Sequence, residues 1–261
     1  ESRAVRLETV EHDTSLSAVG FLGSLVRGTS YNVERFRSAA FERRLASVLA
    51  EEPADVVLLE SLYLLPCLPA LRRATRAPVV LRSFNVEHEI WNRLVAGEPN
   101  PVRRLLLAHL ARRLRTFEIA HRNEPDAVVP ITAADAATYR RLGTTVPIHV
   151  APVGLETARV PDRSGEGERS TLVFLGALDW RPNLEGVRWF LERVWPDVRR
   201  AVPGARLLVG GSNPPAGVER SLSGESVTVV GRVPDAQTFF ASGAAMVVPL
   251  LSGGGMRVKI L

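Results

Sequence analysis

Short apolar runs alternate with amphipathic stretches along almost the whole chain, and this alternation predicts its secondary structure. Apolar runs bounded by Pro, Gly or Asp are typical of buried strands. The predicted strands cover residues 5–10, 55–60, 78–82, 126–131, 148–152, 171–175, 205–210, 227–231 and 245–251. Stretches with helical spacing predict helices over 33–51, 63–74, 101–122, 133–142, 183–201 and 235–242. Strand–helix alternation with short connections predicts right-handed βαβ units and parallel sheets.

A polar segment rich in Gly and Pro, residues 161–170, interrupts this alternation, which then starts again. The sequence therefore predicts an α/β protein with two Rossmann-like, doubly wound domains, residues 1–157 and 158–261. Residue 1 is Glu rather than Met, and the chain ends inside a segment that has the pattern of a starting helix. We accordingly expect both domains to be incomplete.

Composition permits an acidic partner and excludes few others. The chain has 261 residues, 33 Lys and Arg against 28 Asp and Glu, and a formal net charge of +5, which permits a nucleotide, a nucleic acid or an anionic membrane. Aromatic residues make up only 6% and do not cluster with the arginines of the 101–122 helix, which argues against nucleic acid. Those arginines form either a solvated face or a membrane-surface contact. Cys67 is the only cysteine, so no intrachain disulfide forms, and its apolar setting predicts a core position.

Parallel α/β sheets bind ligands beyond the carboxyl ends of their strands, which selects the loops 83–88, 152–156, 176–183 and 251–257. In the last of these, three glycines precede a predicted helix that carries Arg257 and Lys259 in its first turn. Cations at that end oppose the helix dipole unless an anion binds there. The segment is either a phosphate cradle that includes the backbone of Gly254 and Gly255, or a turn with two solvated charges.

The other three loops also allow a functional and a structural interpretation. His88 and Glu87 are candidates for acid–base chemistry and Asn85 for substrate contact; in the alternative, Ser83 or Asn85 caps the next helix. The remaining candidates are Gly176, Arg181 and Gly154. In the functional interpretation, Gly176 allows a ligand to approach the backbone closely, Arg181 contacts an anion and Gly154 lies at a crossover facing the cleft. In the structural interpretation, the glycines only form turns and Arg181 is solvated.

Several motifs of other nucleotide-binding or metal-binding proteins do not occur in the sequence. It has no Gly-x-x-x-x-Gly-Lys-Ser/Thr run and no Gly-x-Gly-x-x-Gly fingerprint, which argues against P-loop hydrolysis and against a dehydrogenase. No Cys/His spacing suits zinc, and no Asp-x-Asp pair occurs. We therefore expect no bound metal.

The four loops that follow predicted strands resemble, in their order along the chain, motifs of the bacterial retaining glycosyltransferases of family 4. These enzymes, also called glycosyl transferases group 1, have the GT-B fold. Ser-Phe-Asn-Val-Glu-His-Glu-Ile-Trp at 83–91 is similar to the acceptor-side loop of that family, and Ala-Pro-Val-Gly-Leu-Glu at 151–156 to its domain crossover. The segments 176–183 and 252–261 resemble its donor-side loops.

This resemblance implies transfer of a sugar from a nucleotide-sugar donor to a sugar or lipid-linked acceptor, with no metal and no separate cofactor. The second domain would hold the donor diphosphate, and the residues that the resemblance assigns to it are Arg257, Lys259, Gly254, Gly255, Arg181 and Gly176. The first domain would hold the acceptor near Asn85 and Gly154, with His88 and Glu87 as the catalytic candidates. The expected setting is cell-surface polysaccharide or glycoconjugate synthesis, either free in the cytoplasm or in peripheral contact with the inner face of the membrane.

In that family a first strand and a glycine-rich loop would precede Glu1, so the resemblance implies that the first domain lacks both. The sequence also departs from the family pattern at three positions. Phe84 occupies the place of the acceptor-loop His, Gly254 that of the first Glu of the Glu-x7-Glu signature, and Ala177 that of an Arg. Two alternatives therefore stay open: a nucleotide-sugar epimerase of the same fold, and a catalytically degenerate subunit that binds a sugar nucleotide.

Overall fold

The computed structural model describes residues 6–154 and 168–251, with side chains from residue 170 onward in the second range. It divides the chain into two compact units, one ending at Val153 and the other beginning at Gly154. The predicted domain boundary after residue 157 lies outside the described residues. We refer to residues 6–153 as the N-terminal unit and to residue 154 together with 168–251 as the C-terminal unit.

The described part of the N-terminal unit contains a parallel sheet of three strands in the order β1-β2-β3. The strands are β1 (Val57–Leu59), β2 (Val79–Ser83) and β3 (Ala127–Pro130). The predicted strand 148–152 is reduced to a single parallel bridge between Ile148 and Val128, and residues 6–10 form no strand. Because β1 and β3 both pair with β2 in parallel, the carboxyl ends of all three strands lie at one edge.

Seven α-helices and one 3-10 helix occur in the described part of this unit. They are α1 (Ala18–Arg27), α2 (Tyr31–Glu34), α3 (Ala39–Glu51), the 3-10 helix (Leu62–Cys67), α4 (Leu68–Ala74), α5 (Glu87–Gly97), α6 (Pro101–His121) and α7 (Ala133–Arg141). The predicted helix 33–51 is split because the Ser38 hydroxyl accepts the Phe41 N–H and begins a new helix. The predicted helix 63–74 begins as a 3-10 helix that contains Pro66.

The core of the N-terminal unit lies between the sheet and its helices. Its most buried side chains include Leu71, Val79, Leu81 and Leu114. Cys67 is buried as predicted. Helix α6 contributes Leu114 to this core and packs along α5, so the start of α5 is held next to the middle of α6.

The described part of the C-terminal unit has a parallel sheet in the order β6-β5-β4-β7. The strands are β4 (Glu168–Leu175), β5 (Arg206–Gly210), β6 (Val227–Gly231) and β7 (Gly243–Met246). The chain passes from β4 outward to β5 and β6 and then returns to the other side of β4 for β7. This reversal of direction is the topological switch point of a doubly wound sheet. The predicted strand 245–251 is shorter and earlier than expected, although the Val247 N–H still donates to the Val173 carbonyl.

Four helices connect these strands: α8 (Arg181–Arg193), α9 (Trp195–Ala201), α10 (Val218–Leu222) and α11 (Ala236–Ala241). Asp235 caps α11 as predicted, accepting the N–H groups of Gln237 and Thr238. The prediction that Asn183 caps α8 is wrong. The helix begins two residues earlier because Pro182 fits its first turn, and the buried Asn183 side chain donates to the Ala177 carbonyl at 2.9 Å.

The predicted α/β class is confirmed: each unit has a parallel sheet flanked by helices, consistent with two incomplete Rossmann-like domains. Among residues 6–154 and 168–251, no helix combines the length and the hydropathy that crossing a bilayer requires.

Candidate functional site

The loop after β2 brings Asn85, Glu87 and His88 to the carboxyl edge of the N-terminal sheet. Helix α5 begins directly after Val86, whose side chain makes no capping hydrogen bond. The expectation that Ser83 or Asn85 caps this helix is wrong, because the Ser83 hydroxyl donates instead to the Asn85 carbonyl at 2.7 Å. The first N–H groups of α5 therefore need another acceptor.

That acceptor is the carboxylate of Glu118, which comes from α6 and is only 1% exposed. Its Oε1 accepts the Glu87 N–H at 3.2 Å, and its Oε2 accepts the His88 N–H at 3.3 Å. The same Oε2 lies 2.6 Å from His88 Nδ1. A carboxylate at a helix N-terminus is favoured both by the free N–H groups and by the helix dipole, so Glu118 holds the backbone and the imidazole of this loop at once.

Two tyrosines extend the cluster. The Tyr139 hydroxyl lies 2.9 Å from Ser83 Oγ and donates to Glu118 Oε1 at 3.4 Å. The Tyr63 hydroxyl donates to Glu87 Oε2 at 3.0 Å. The loop is thus fixed by side chains from three different helical segments as well as by the strand that it follows.

Burial in this cluster changes the protonation chemistry of Glu87. Desolvation, opposed by the Tyr63 hydrogen bond and reinforced by the negative charge of Glu118, raises the pKa of Glu87 from 4.5 to about 7. A carboxyl group with such a pKa exchanges protons efficiently near neutral pH. His88 is 5% exposed, and its Nδ1 is committed to Glu118. The two predicted catalytic residues therefore lie together, one as a titrating carboxyl and the other as a fixed, buried imidazole.

Gly154, predicted at the acceptor side, is exposed, and a Cβ built on it meets no atom within 4 Å. Its backbone shows no steric need for glycine within the described part of the chain. Its acceptor-side role stays a prediction.

The C-terminal unit has a cavity of about 500 Å³ at the carboxyl ends of β4, β5 and β6. It is lined by Leu175, Gly176, Ala177, Gly211, Ser212, Asn213, Arg232 and Val233. We call this the strand-end pocket. It lies outside the carboxyl ends of the strands, which is the edge of a doubly wound sheet where ligands bind, and its β4 side adjoins the switch point.

Glycines make the pocket possible because two strand ends approach each other closely. A Cβ on Gly211 would collide with the Gly176 carbonyl oxygen. The Gly176 N–H donates to the Gly210 carbonyl at 3.1 Å, and the Gly211 N–H to the Gly231 carbonyl at 2.8 Å. The floor of the pocket is therefore backbone, which a ligand can approach without meeting side chains.

Polar groups at the rim come from the loops after β5 and β6. Asn213 has a positive φ of 53°, and its side-chain amide donates to Asp179 Oδ2 at 3.2 Å. Arg232 is exposed and is the one charged side chain among the lining residues. Within residues 6–154 and 168–251 no acidic group pairs with it. The pocket thus offers a ligand the Arg232 guanidinium and the Ser212 hydroxyl, while the Asn213 amide already donates to Asp179. A guanidinium suits an oxyanion.

Only one of the predicted donor-side residues within the described ranges lines the strand-end pocket. Gly176 lines the strand-end pocket. Arg181 is the first residue of α8 and does not line the pocket; its Nε donates to Glu185 Oε1 at 2.5 Å. Arg257, Lys259, Gly254 and Gly255 lie outside the described residues, so their role stays a prediction.

Sequence reasoning missed Ser212, Asn213, Arg232, Glu118 and Tyr139. The first three of these residues directly follow the predicted strands that end at 210 and 231, where the strand-end rule also places ligands. Glu118 also left a signal. It lies four residues after Leu114 and seven after Ala111, so it occupies the buried stripe of α6. A single acid in an apolar stripe indicates a buried partner.

Within the described ranges, no group of three or more His, Cys, Asp or Glu side chains is arranged to hold a metal ion.

Residues 169–261 match the family model described as glycosyl transferases group 1. This segment includes almost all of the C-terminal unit with its strand-end pocket. No curated protein matches the chain.

Solved structures match most of the chain at low sequence identity. The α,α-trehalose 6-phosphate synthase from Burkholderia multivorans is 18% identical, with a TM-score of 0.52 over 93% of this chain and 64% of its own. The sucrose-phosphate synthase from Thermosynechococcus elongatus is 16% identical, with a TM-score of 0.58 over 87% of this chain and 58% of its own. A trehalose-6-phosphate synthase studied for enzymatic glycosyl transfer with retention is 14% identical, with a TM-score of 0.53 over 88% and 60%. The likeness shows a shared fold, and the chain spans about six tenths of the length of these proteins.

Proposed function

We propose that this chain is part of a retaining, metal-independent glycosyltransferase of family 4 that moves a hexose from a nucleotide-sugar donor to an acceptor. The observation that carries the proposal is the strand-end pocket, because it lies within the segment that matches group 1 glycosyl transferases. The fold shared with trehalose-phosphate and sucrose-phosphate synthases supports it.

The donor would bind in the strand-end pocket, whose 500 Å³ is within the usual range for small-molecule sites. Glycosyl transfer leaves the nucleoside diphosphate with additional negative charge. Fixed N–H groups and cations stabilise such charge, and a single donor contributes about 3–4 kcal/mol. Arg232 supplies one positive charge at the rim, and we expect Arg257, Lys259 and the backbone of Gly254 and Gly255 to supply the rest.

The acceptor would bind near the loop after β2. There Glu87 is the residue suited to exchange a proton with an acceptor hydroxyl, since its pKa of about 7 keeps both protonation states populated. His88 and Glu118 would hold the loop in place, and Asn85 would contact the acceptor.

A lipid-linked acceptor, a cytoplasmic location and contact with the inner face of the membrane complete the proposal. The start of α6 supports the membrane contact. Val102 and Leu105 are 76% and 74% exposed, next to Arg103 and Arg104, and no acidic residue lies in that turn. Apolar and cationic side chains together suit an anionic lipid surface.

Liposome sedimentation tests the membrane contact. We expect salt-sensitive binding to anionic vesicles, and we expect the double variant Arg103→Gln/Arg104→Gln to weaken it. Binding that neither salt nor this variant affects would contradict the membrane contact.

Calorimetry with UDP, ADP and GDP tests the donor site. We expect one nucleotide to bind, and Arg232→Ala to weaken its binding at least fivefold. Arg220→Ala is the matched control, because Arg220 is exposed on α10 in the same unit and outside the pocket lining. Equal loss in both variants, or binding of no nucleotide, would contradict the assignment of the pocket.

The reaction itself is tested by measuring nucleotide release from the donor with and without an acceptor. A transferase releases free nucleotide only when an acceptor is supplied. Conversion of the donor sugar without nucleotide release would instead indicate an epimerase, and tight binding with no turnover a degenerate subunit.

A further inference from the structure

A second cavity, of about 240 Å³, lies in the N-terminal unit where the loop after α1 and the helix α2 meet α6. We call it the α2–α6 cavity. Thr29, Ser30, Glu34 and Arg37 line one side of it, and Arg113 and His121 line the other. None of these residues belongs to the loop after β2 or to the strand-end pocket.

Three of the residues that line this cavity have a buried side-chain atom with no hydrogen-bond partner among the described residues. These atoms are Thr29 Oγ1, Ser30 Oγ and Arg113 Nε. Ser30 as a whole is only 4% exposed. Buried polar groups are normally hydrogen-bonded, so three such groups beside one cavity indicate an acceptor that the described residues do not supply.

The charges around the cavity favour an anion. The Arg113 guanidinium lies over Gly28, where a Cβ would come within 2.8 Å of its Nη2, and no carboxylate in the described ranges is within ion-pair distance of it. Arg37 pairs only at 3.9 Å with Glu34. Glu34 is the one acid in the lining, and its charge opposes an anion, so the cavity has two guanidinium groups against one carboxylate.

We propose that the α2–α6 cavity binds a phosphate monoester of a small metabolite. A tetrahedral phosphate offers three terminal oxygens, enough to accept hydrogen bonds from the two guanidinium groups and the two hydroxyls of residues on both sides of the cavity. A carboxylate has only two oxygens and would leave some of these donors unpaired. The volume is below that of usual drug-sized ligand pockets, which favours a small phosphorylated compound over a nucleotide.

The first experiment is calorimetry at low ionic strength on the whole chain, with inorganic phosphate, glucose 6-phosphate and glucose as probes. We expect both phosphates to bind and glucose not to bind. Tighter binding of the ester would indicate that the cavity also accepts the organic part, and equal affinity that it recognises the phosphate group alone. Binding of neither phosphate would overturn the proposal.

Variants locate the site. Arg113→Gln should weaken phosphate binding at least tenfold, whereas Arg112→Gln, at an exposed neighbouring position outside the lining, should change it less than twofold. Glu34→Gln should strengthen binding, because it removes the opposing charge. Equal loss in the two arginine variants would show a nonspecific charge effect and would refute the site.

Two further variants test the site if Arg113→Gln is unstable and test whether the phosphate binds in the other unit. Thr29→Val keeps the net charge and removes one hydroxyl, and it should weaken binding severalfold even where Arg113→Gln proves unstable by circular dichroism. Arg232→Ala, in the strand-end pocket, should leave phosphate binding unchanged. If Arg232→Ala lost phosphate binding and Thr29→Val kept it, the phosphate would bind in the C-terminal unit and the inference would be overturned. That result would leave the proposed donor site standing.

Discussion

The carboxylate of Glu118 holds the first turn of α5, and replacing it with the isosteric amide tests how strongly. In Glu118→Gln a single oxygen accepts hydrogen bonds where two did before. With that oxygen at the Oε1 position, the Glu87 N–H and the Tyr139 hydroxyl keep a partner. The His88 N–H then faces an amide NH₂, because Oε2 had accepted it.

The expected cost follows from that loss. A hydrogen bond to a charged acceptor contributes about 1.5–3 kcal/mol, and an unpaired buried donor costs about 1–3 kcal/mol. The Nδ1 contact of His88 survives in part, since neutral imidazole can accept from the new amide. We therefore expect Glu118→Gln to reduce the free energy of unfolding of the N-terminal unit by about 2–3 kcal/mol.

Amide hydrogen exchange measured by NMR is the appropriate assay, because a chain with two units need not unfold in a single step. Faster exchange at Glu87 and His88 is expected in Glu118→Gln. Glu124→Gln is the control, since Glu124 lies just beyond the same helix with its side chain 46% exposed and should change stability by less than about 0.5 kcal/mol.

The same variant has an electrostatic readout. Because the negative charge of Glu118 contributes to the raised pKa of Glu87, the neutral amide should lower that pKa, as followed by the ¹³C shift of the Glu87 carboxyl. Unchanged exchange at the start of α5 together with an unchanged Glu87 pKa would refute the view that Glu118 organises this loop.

Three further predictions concern other contacts. The pKa of Glu87 is about 7 in the folded state and 4.5 for the free group, so the folded state binds more protons between pH 4.5 and 7. The free energy of unfolding should therefore fall by about 3 kcal/mol as the pH rises through that window. Denaturation at several pH values should show this dependence in the unmodified protein and not in Glu87→Gln. Gly211→Ala should lower the melting temperature of the C-terminal unit and abolish nucleotide binding, because the new methyl group collides with the Gly176 carbonyl oxygen. Gly224→Ala is the control and should have neither effect, because a Cβ at Gly224 meets no atom within 4 Å. Asp235→Ala should cost about 1 kcal/mol through loss of the α11 cap, and an unchanged melting temperature would contradict this.

The sequence alone determined the elements whose signal is local. The strands ending at Ser83, Leu175 and Gly210 are apolar runs between turn residues, and burial of such runs depends on little beyond the run itself. The cap at Asp235 was also predictable, because a side chain bonding to the N–H groups two and three residues later needs only neighbouring residues. Strand–helix alternation then implied parallel sheets.

Tertiary structure alone decided the partners that are distant along the chain. The cap of α5 comes from Glu118, thirty residues after His88, and no local pattern indicates which helix end an acid will reach. The strand-end pocket depends on two glycine-containing strand ends approaching each other, and the α2–α6 cavity on polar groups that no neighbour pairs. Local sequence sets the conformation of a segment, but the desolvation of a buried charge or hydroxyl is settled only by what packs against it.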